Sequence, residues 1–144
     1  MARTPAISMD NPFTANYFAE GDVYQYHAVI AGTYDHQVKE MTAGAAGDGT
    51  PIVGIAQEDQ NDGHAVNVLY FGPSWGYAAA AVTRLNALAA IYSATVAENG
   101  RFAPRTAADH AHDEQVPAIA LEDALTGVKF KLLLTLYTCT QQDS

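Results

Sequence analysis

The sequence predicts a mainly β protein. The expected form is a compact antiparallel β-sandwich or barrel-like domain made of two related halves, preceded by an extended N-terminal arm. Three observations carry this. A block occurs twice: VGIAQEDQNDGHAVNVLYFG over 53–72 and PAIALEDALTGVKFKLLLTL over 117–136. Within it Ile55, Ala56, Glu58, Asp59, Gly63 and Leu69 fall without a gap on Ile119, Ala120, Glu122, Asp123, Gly127 and Leu133. Short runs of alternating apolar and polar residues flank the block, which is the period-2 signature of half-buried strands. Asp62-Gly63 and Asn99-Gly100 are turn dipeptides that admit the positive φ of a tight hairpin. We place the arm at 1–18 and a single β domain at 19–144, with halves at about 19–72 and 77–136.

In chain order, residues 1–18 lack any periodicity, and Pro5 and Pro12 deny regular hydrogen bonding. Ile7, Met9, Phe13, Tyr17 and Phe18 are nevertheless too apolar for a solvated tail, so the arm is expected to dock on a partner or its own domain. YQYHAVIAG, after the acidic turn Glu20-Gly21-Asp22, reads as a strand, and TYDHQVKEMT as a second. His27 and His36 lie in these runs as surface or satisfied strand histidines rather than ligands. Residues 43–52 are a Gly/Ala loop without the lysine of a phosphate cradle. Each repeat block reads as a hairpin: VGIA, a turn and AVNVLYF, then AIAL, a turn and VKFKLLLTLY. The alanine-rich stretch 77–96 suits a helix on propensity. The repeat demands otherwise, because each hairpin should follow a similar segment. Strands are therefore expected at 87–96 and 101–105, with room for a short helix around 77–86. A polar connection spans 106–116.

Composition narrows the function. Hydrophobic residues make up 49% of 144 positions, enough for a core. Seven basic against sixteen acidic residues leave a net charge of −9. No basic patch is visible, which argues against nucleic acid as a partner. No stretch has the length of apolar residues that spans a membrane, and the opening MARTPAISMDNPF has no apolar run of a signal peptide. A lone Cys139 cannot form an internal disulfide.

Several constellations invite chemistry. Gly72-Pro73-Ser74-Trp75-Gly76 matches GxSxG, with Asp109 and His112 following in hydrolase order, which is the reading of a small esterase. The chain is too short for that fold and lacks its glycine-rich oxyanion segment, so we expect an ordinary turn joining the halves. His110 and His112 could give a metal two ligands, but nothing supplies the remainder, and no metal or other cofactor is assigned. Glu58-Asp59 and Glu122-Asp123 are adjacent, hence not a facing catalytic dyad. Their recurrence fits turn entry, with Asp capping the backbone. Tyr70, Phe71, Trp75 and Tyr77 form an aromatic cluster suited to packing, to an interface or to a sugar site.

Taken together, Gly21-Asp22, Val53–Asp59, Gly63–Leu69, Ala89–Tyr92, Asn99–Phe102, Ala118–Asp123 and Gly127–Leu133 form a pattern that resembles the phage capsid cement, or decoration, proteins. The match covers roughly residues 19–136. It implies a non-enzymatic virion protein, made in the host cytoplasm and placed on the outer surface of an icosahedral head. It further implies a homotrimer that stabilises contacts between major capsid subunits. The expected capsid or intersubunit contacts are Ile7, Met9, Phe13, Tyr17 and Phe18 of the arm, with Phe71, Trp75 and Tyr77 of the aromatic joint. The competing reading is a carbohydrate- or host-surface-binding module displayed on a virion.

Overall fold

A computed structural model describes residues 13–42, 51–105 and 114–139. They form ten strands: β1 (Thr14–Ala19), β2 (Ala28–Ala31), β3 (Gln37–Glu40), β4 (Gly54–Ala56), β5 (Ala65–Leu69), β6 (Gly72–Tyr77), β7 (Ala87–Ile91), β8 (Arg101–Pro104), β9 (Glu114–Ala120) and β10 (Lys129–Cys139). One short 3-10 turn, Val96–Glu98, lies between β7 and β8. No α-helix occurs among the described residues, and residues 77–86, where the sequence left room for a short helix, form none.

The two halves are copies of one five-stranded unit. In the first, the order β1-β3-β2-β4-β5 closes into a barrel, with β1 parallel to β3 and the other pairs antiparallel. In the second, the order is β6-β10-β9-β7-β8, and the parallel seam shrinks to the single bridge Ala78↔Phe102. Strand pairing matches residue for residue. Ala28↔Ile55 becomes Ala87↔Ile119, shifts of 87 − 28 = 59 and 119 − 55 = 64. Val23↔Gln60 becomes Val82↔Ala124 with the same two shifts. The five-residue difference, 64 − 59, lies entirely in the β7–β8 connection, since Ala31↔Val38 corresponds to Ala90↔Phe102. The repeat read at offset 64 is thus the second part of each unit.

The repeated Glu-Asp pairs do the same work twice. Asp59 Oδ1 accepts the backbone N–H of Gln25 at 2.7 Å, and Asp123 Oδ1 accepts that of Arg84 at 2.7 Å. Glu58 accepts from Asn67 N at 3.0 Å, and Glu122 from Lys131 N at 2.9 Å. These carboxylates hold the crossing between two strands of each unit, where the chain turns through a residue with positive φ, Tyr26 at 66° and Leu85 at 71°.

Interior packing differs in size. Ala19, Val23 and Ala56 recur as Ala78, Val82 and Ala120, but Val29, Val38, Val66 and Val68 become Leu88, Phe102, Phe130 and Leu132. The bulkier groups fill more space, which accounts for the opened seam between β6 and β8. They also set the sequence of β6. Its inward residues are Gly72, Ser74 and Gly76, all buried, while Pro73, Trp75 and Tyr77 point outward. A Cβ on Gly76 would come within 2.7 Å of Leu132 Cδ2 and 3.1 Å of Phe102 Cδ2. The expectation that GPSWG is a turn is therefore corrected: it is a strand. Pro73 is tolerated because β6 is an edge, paired over these residues with β10 alone.

The units share a core. Ala28, Ile30, Ile55 and Leu69 face away from the interior of the first barrel. They are buried all the same, joining the interior of the second unit in one cluster. The inserted β7–β8 connection fastens the junction. Gly100 O accepts Ala28 N–H at 2.9 Å, and buried Asn99 donates from Nδ2 to Met41 O at 2.9 Å while accepting from Ser93 N. Gly100 sits at φ 72°, and a Cβ there would lie 2.9 Å from both Ala28 N and Ala28 O. Only glycine fits this approach.

Candidate functional site

The residues expected to make contacts separate into distinct places. Ile7, Met9, most of the Gly/Ala loop, Asp109, His110 and His112 lie outside the described residues. Phe13 immediately precedes β1, and residues 14–18, placed in the arm from sequence, belong to that barrel strand, paired with β5 and β3. Strand alternation then divides Tyr17 from Phe18. Tyr17 packs on the interior cluster of the first barrel, and Phe18 is 54% exposed.

Phe13, Tyr70 and Phe71 converge. Phe13 meets Phe71 edge-on at 5.2 Å between centroids and Tyr70 at 6.3 Å. All three stay 40–45% exposed. They come together because Tyr70 and Phe71 form the short link from β5 to β6, and β5 runs antiparallel to β1 with Leu69 opposite Thr14. Tyr70 N donates to Phe13 O at 3.0 Å, extending the ladder to the patch. The result is a solvent-facing aromatic platform where the chain enters the domain.

Trp75 belongs to another surface. Outward on β6, it lies opposite Lys131 on β10. Lys129 Nζ stands 4.7 Å and Lys131 Nζ 5.4 Å from its ring centroid, and Lys129 also reaches Tyr26 at 5.6 Å. Two of the seven basic residues of a chain carrying −9 are thus gathered on one indole. The lysines that alternate in VKFKL as a plain solvated face are half of this cation–π arrangement. Tyr77 points into the junction between the units, with His27 6.4 Å away edge-on and Arg101 Cζ 5.9 Å from its centroid. Tyr70, Phe71, Trp75 and Tyr77, though close in sequence, do not form the single expected cluster. The structure divides them among three surfaces.

Ser74 is fully buried. Its Oγ donates to Trp75 O at 3.0 Å and accepts from Gln57 Nε2 at 3.1 Å. It belongs to the inward row of β6, and the strained strand-to-helix turn of a nucleophile elbow is absent at this position. His27, also buried, bonds through Nδ1 to Glu40 at 3.1 Å, a satisfied histidine as expected. Elsewhere, Thr33 donates to Glu20 from Oγ1 at 2.6 Å and from N at 2.8 Å. Chiefly through the Thr33 hydroxyl bond, then its backbone bond, with Lys39 adding attraction, the Glu20 carboxyl is held below its ordinary range.

These features define a class of architecture: two tandem five-stranded β units with an aromatic platform before β1 and a group of His27, Tyr77 and Arg101 at the junction. The same fold is found in the head fiber gp8.5 N base of bacteriophage phi29. That structure aligns with a TM-score of 0.59 over 89% of this chain and 98% of its own, at 16% sequence identity. No protein-family model and no curated protein matches the sequence.

Proposed function

We propose that this chain is a structural protein of a phage virion, docked on the outer surface of the head and contacting the major capsid protein as a cement or decoration protein. The observation that carries the reading is the shared fold, which spans nearly the whole of a head fiber base. The Phe13–Tyr70–Phe71 platform supports it, being an aromatic surface that stays 40–45% exposed. Aromatic groups that combine large area with few rotatable bonds are favoured at interfaces. Self-association, with a homotrimer as the preferred state, fits a second feature. The face of the first unit formed by Ala28, Ile30, Ile55 and Leu69 is covered by the second unit. The equivalent residues of the second unit, Ala87, Ala89, Ile119 and Leu133, remain half-buried. A neighbouring copy would cover them, and three weakly bound copies would hold a head by avidity.

The test uses phage heads that lack the protein. The full chain should bind them saturably, with a solution or head-bound mass of three chains. Deleting residues 2–12, or the double substitution Phe13→Ser and Phe71→Ser, should lower occupancy at least about tenfold, the loss of one modest aromatic anchor. Full occupancy by both variants would remove the arm and platform from the interface. No binding by the full chain would remove the head-docking reading.

A further inference from the structure

We propose that the cleft between the two units is a binding site for a neutral saccharide. It goes beyond head docking and uses a surface apart from the aromatic platform. The cleft has a volume of about 580 Å³ and is walled by both units, Tyr24, His27 and Asp59 from the first and Tyr77, Val96 and Arg101 from the second. That space exceeds a single sugar ring and lies within the range of small-molecule sites.

Three observations point to the ligand. The first is an aromatic lining. Tyr24 lies 5.6 Å from His27, His27 6.4 Å from Tyr77, and the Arg101 guanidinium 5.9 Å from Tyr77, all measured to ring centroids. The rings are not coplanar: Tyr24 and His27 are tilted by 43° and His27 and Tyr77 stand edge to face at 86°. The wall therefore offers aromatic faces and polar edges in more than one direction, a lining suited to the C–H groups and hydroxyls of a pyranose. The second is unused hydrogen-bonding capacity. Arg101 Nε is buried without a partner among the described residues, a costly state, and Arg101 is one of the residues that line the cleft. Asp59 is exposed and spends one oxygen on Gln25 N, leaving the other as an acceptor. A donor and an acceptor of opposite charge facing one cleft suit vicinal hydroxyls, and the Asp59 carboxylate disfavours an anion. The third is construction. Val96 and Ala97 come from the five-residue insertion that distinguishes the second unit from the first. The same connection carries Asn99 and Gly100, which fasten it to the first unit. The duplication diverged at the place that walls the cleft.

The experiment follows the Arg101 Nε–H signal and the Tyr24, His27 and Tyr77 resonances by NMR while cellobiose, diacetylchitobiose and maltotriose are added to the full chain. Galacturonate and inorganic phosphate serve as anionic probes. At least one neutral probe should give a saturable shift at millimolar concentration. Arg101→Met should weaken it about tenfold, as expected for losing a charged donor. Val96→Trp, which fills the cleft from its exposed wall, should abolish it. Both variants should melt as the parent does and still bind phage heads. Binding of head without any neutral-probe shift would overturn the saccharide site and leave the docking reading intact. Shifts by the anions alone, or undiminished binding by Val96→Trp, would also overturn it.

Discussion

Gly100→Ala tests the junction on which the two-unit architecture depends. Alanine at φ 72° costs about 1–2 kcal/mol in the left-handed region. Its Cβ would stand 2.9 Å from Ala28 N and O, closer than real contacts allow, and both atoms are backbone. The connection must then withdraw, opening the 2.9 Å bond from Ala28 N to Gly100 O. A buried backbone donor left unpaired costs about 1–3 kcal/mol. The total is about 2–5 kcal/mol. At about 3 °C per kcal/mol for a chain of this size, Tm should fall by about 6–15 °C. Gly63→Ala is the control. Gly63 has φ 82° with nothing within 4 Å of the added carbon, so only the conformational part, about 1–2 kcal/mol, applies. Thermal unfolding followed by circular dichroism gives both values, and amide exchange at Ala28 reports the junction directly. If Gly100→Ala is no more destabilising than Gly63→Ala, or if Ala28 keeps its protection, the close approach does not hold the units together.

Other expectations follow from the repeat and from the site. Asp59→Ala and Asp123→Ala each remove one bond to a backbone N–H and should cost about 1 kcal/mol in denaturant melts. As they sit in different units, the double variant should show their sum to within about 0.5 kcal/mol, and strong coupling would contradict separate roles. Phe130→Ala should destabilise by about 3–5 kcal/mol, whereas its counterpart Val66→Ala removes fewer carbons and should cost about 2 kcal/mol; equal losses would refute the assignment of the larger interior to the second unit. Carbon-13 titration of Glu20 should show a midpoint below the ordinary glutamate value, and Thr33→Val, which removes the largest cause, should move it back toward that value. Because the folded pKa is depressed, the contribution of Glu20 is present above the unfolded pKa and lost as pH falls through the folded one. Melting that is less acid-sensitive in wild type than in Glu20→Gln would contradict this sign.

What the sequence revealed was whatever local chemistry enforces. The Glu-Asp pairs recur because each unit needs the same two backbone donors satisfied, so duplication preserved them and made the hairpins visible. Asn99-Gly100 marked the β7–β8 turn, and against the helical propensity of 77–96 the repeat placed strands that are found at 87–91 and 101–104. The misreadings arose where the determining contact is remote. GPSWG looked like a turn because its glycines suggest freedom, yet Gly76 is small since Leu132 and Phe102 occupy the space. TANYFA looked like part of an arm because its partners are β3 and β5, the latter some fifty residues later in the chain. The one clue was alternation, with Tyr17 and Ala19 against Phe18. Arg101 gave no signal, since its significance comes from a cleft that exists only once the units meet.

The differences between the copies locate function better than their likeness. A duplicated unit keeps what folding demands, and the kept features here are backbone caps, turn glycines and the small interior residues. The departures are an enlarged interior, an open seam, an inserted connection, and outward aromatic and basic groups on β6 and β10. Where the first unit has Asn16 opposite Asn67, the second has Trp75 opposite Lys131. The enlarged interior lets the second unit form one core with the outer face of the first, so the first is committed as a foundation and the second remains free to diverge. The lengthened β7–β8 connection then has two consequences from one length of chain: Asn99 and Gly100 bond it to the first unit, while Val96 and Ala97 wall the space between the units. A binding cleft at that junction requires no new domain, only five residues added to a turn that was already there.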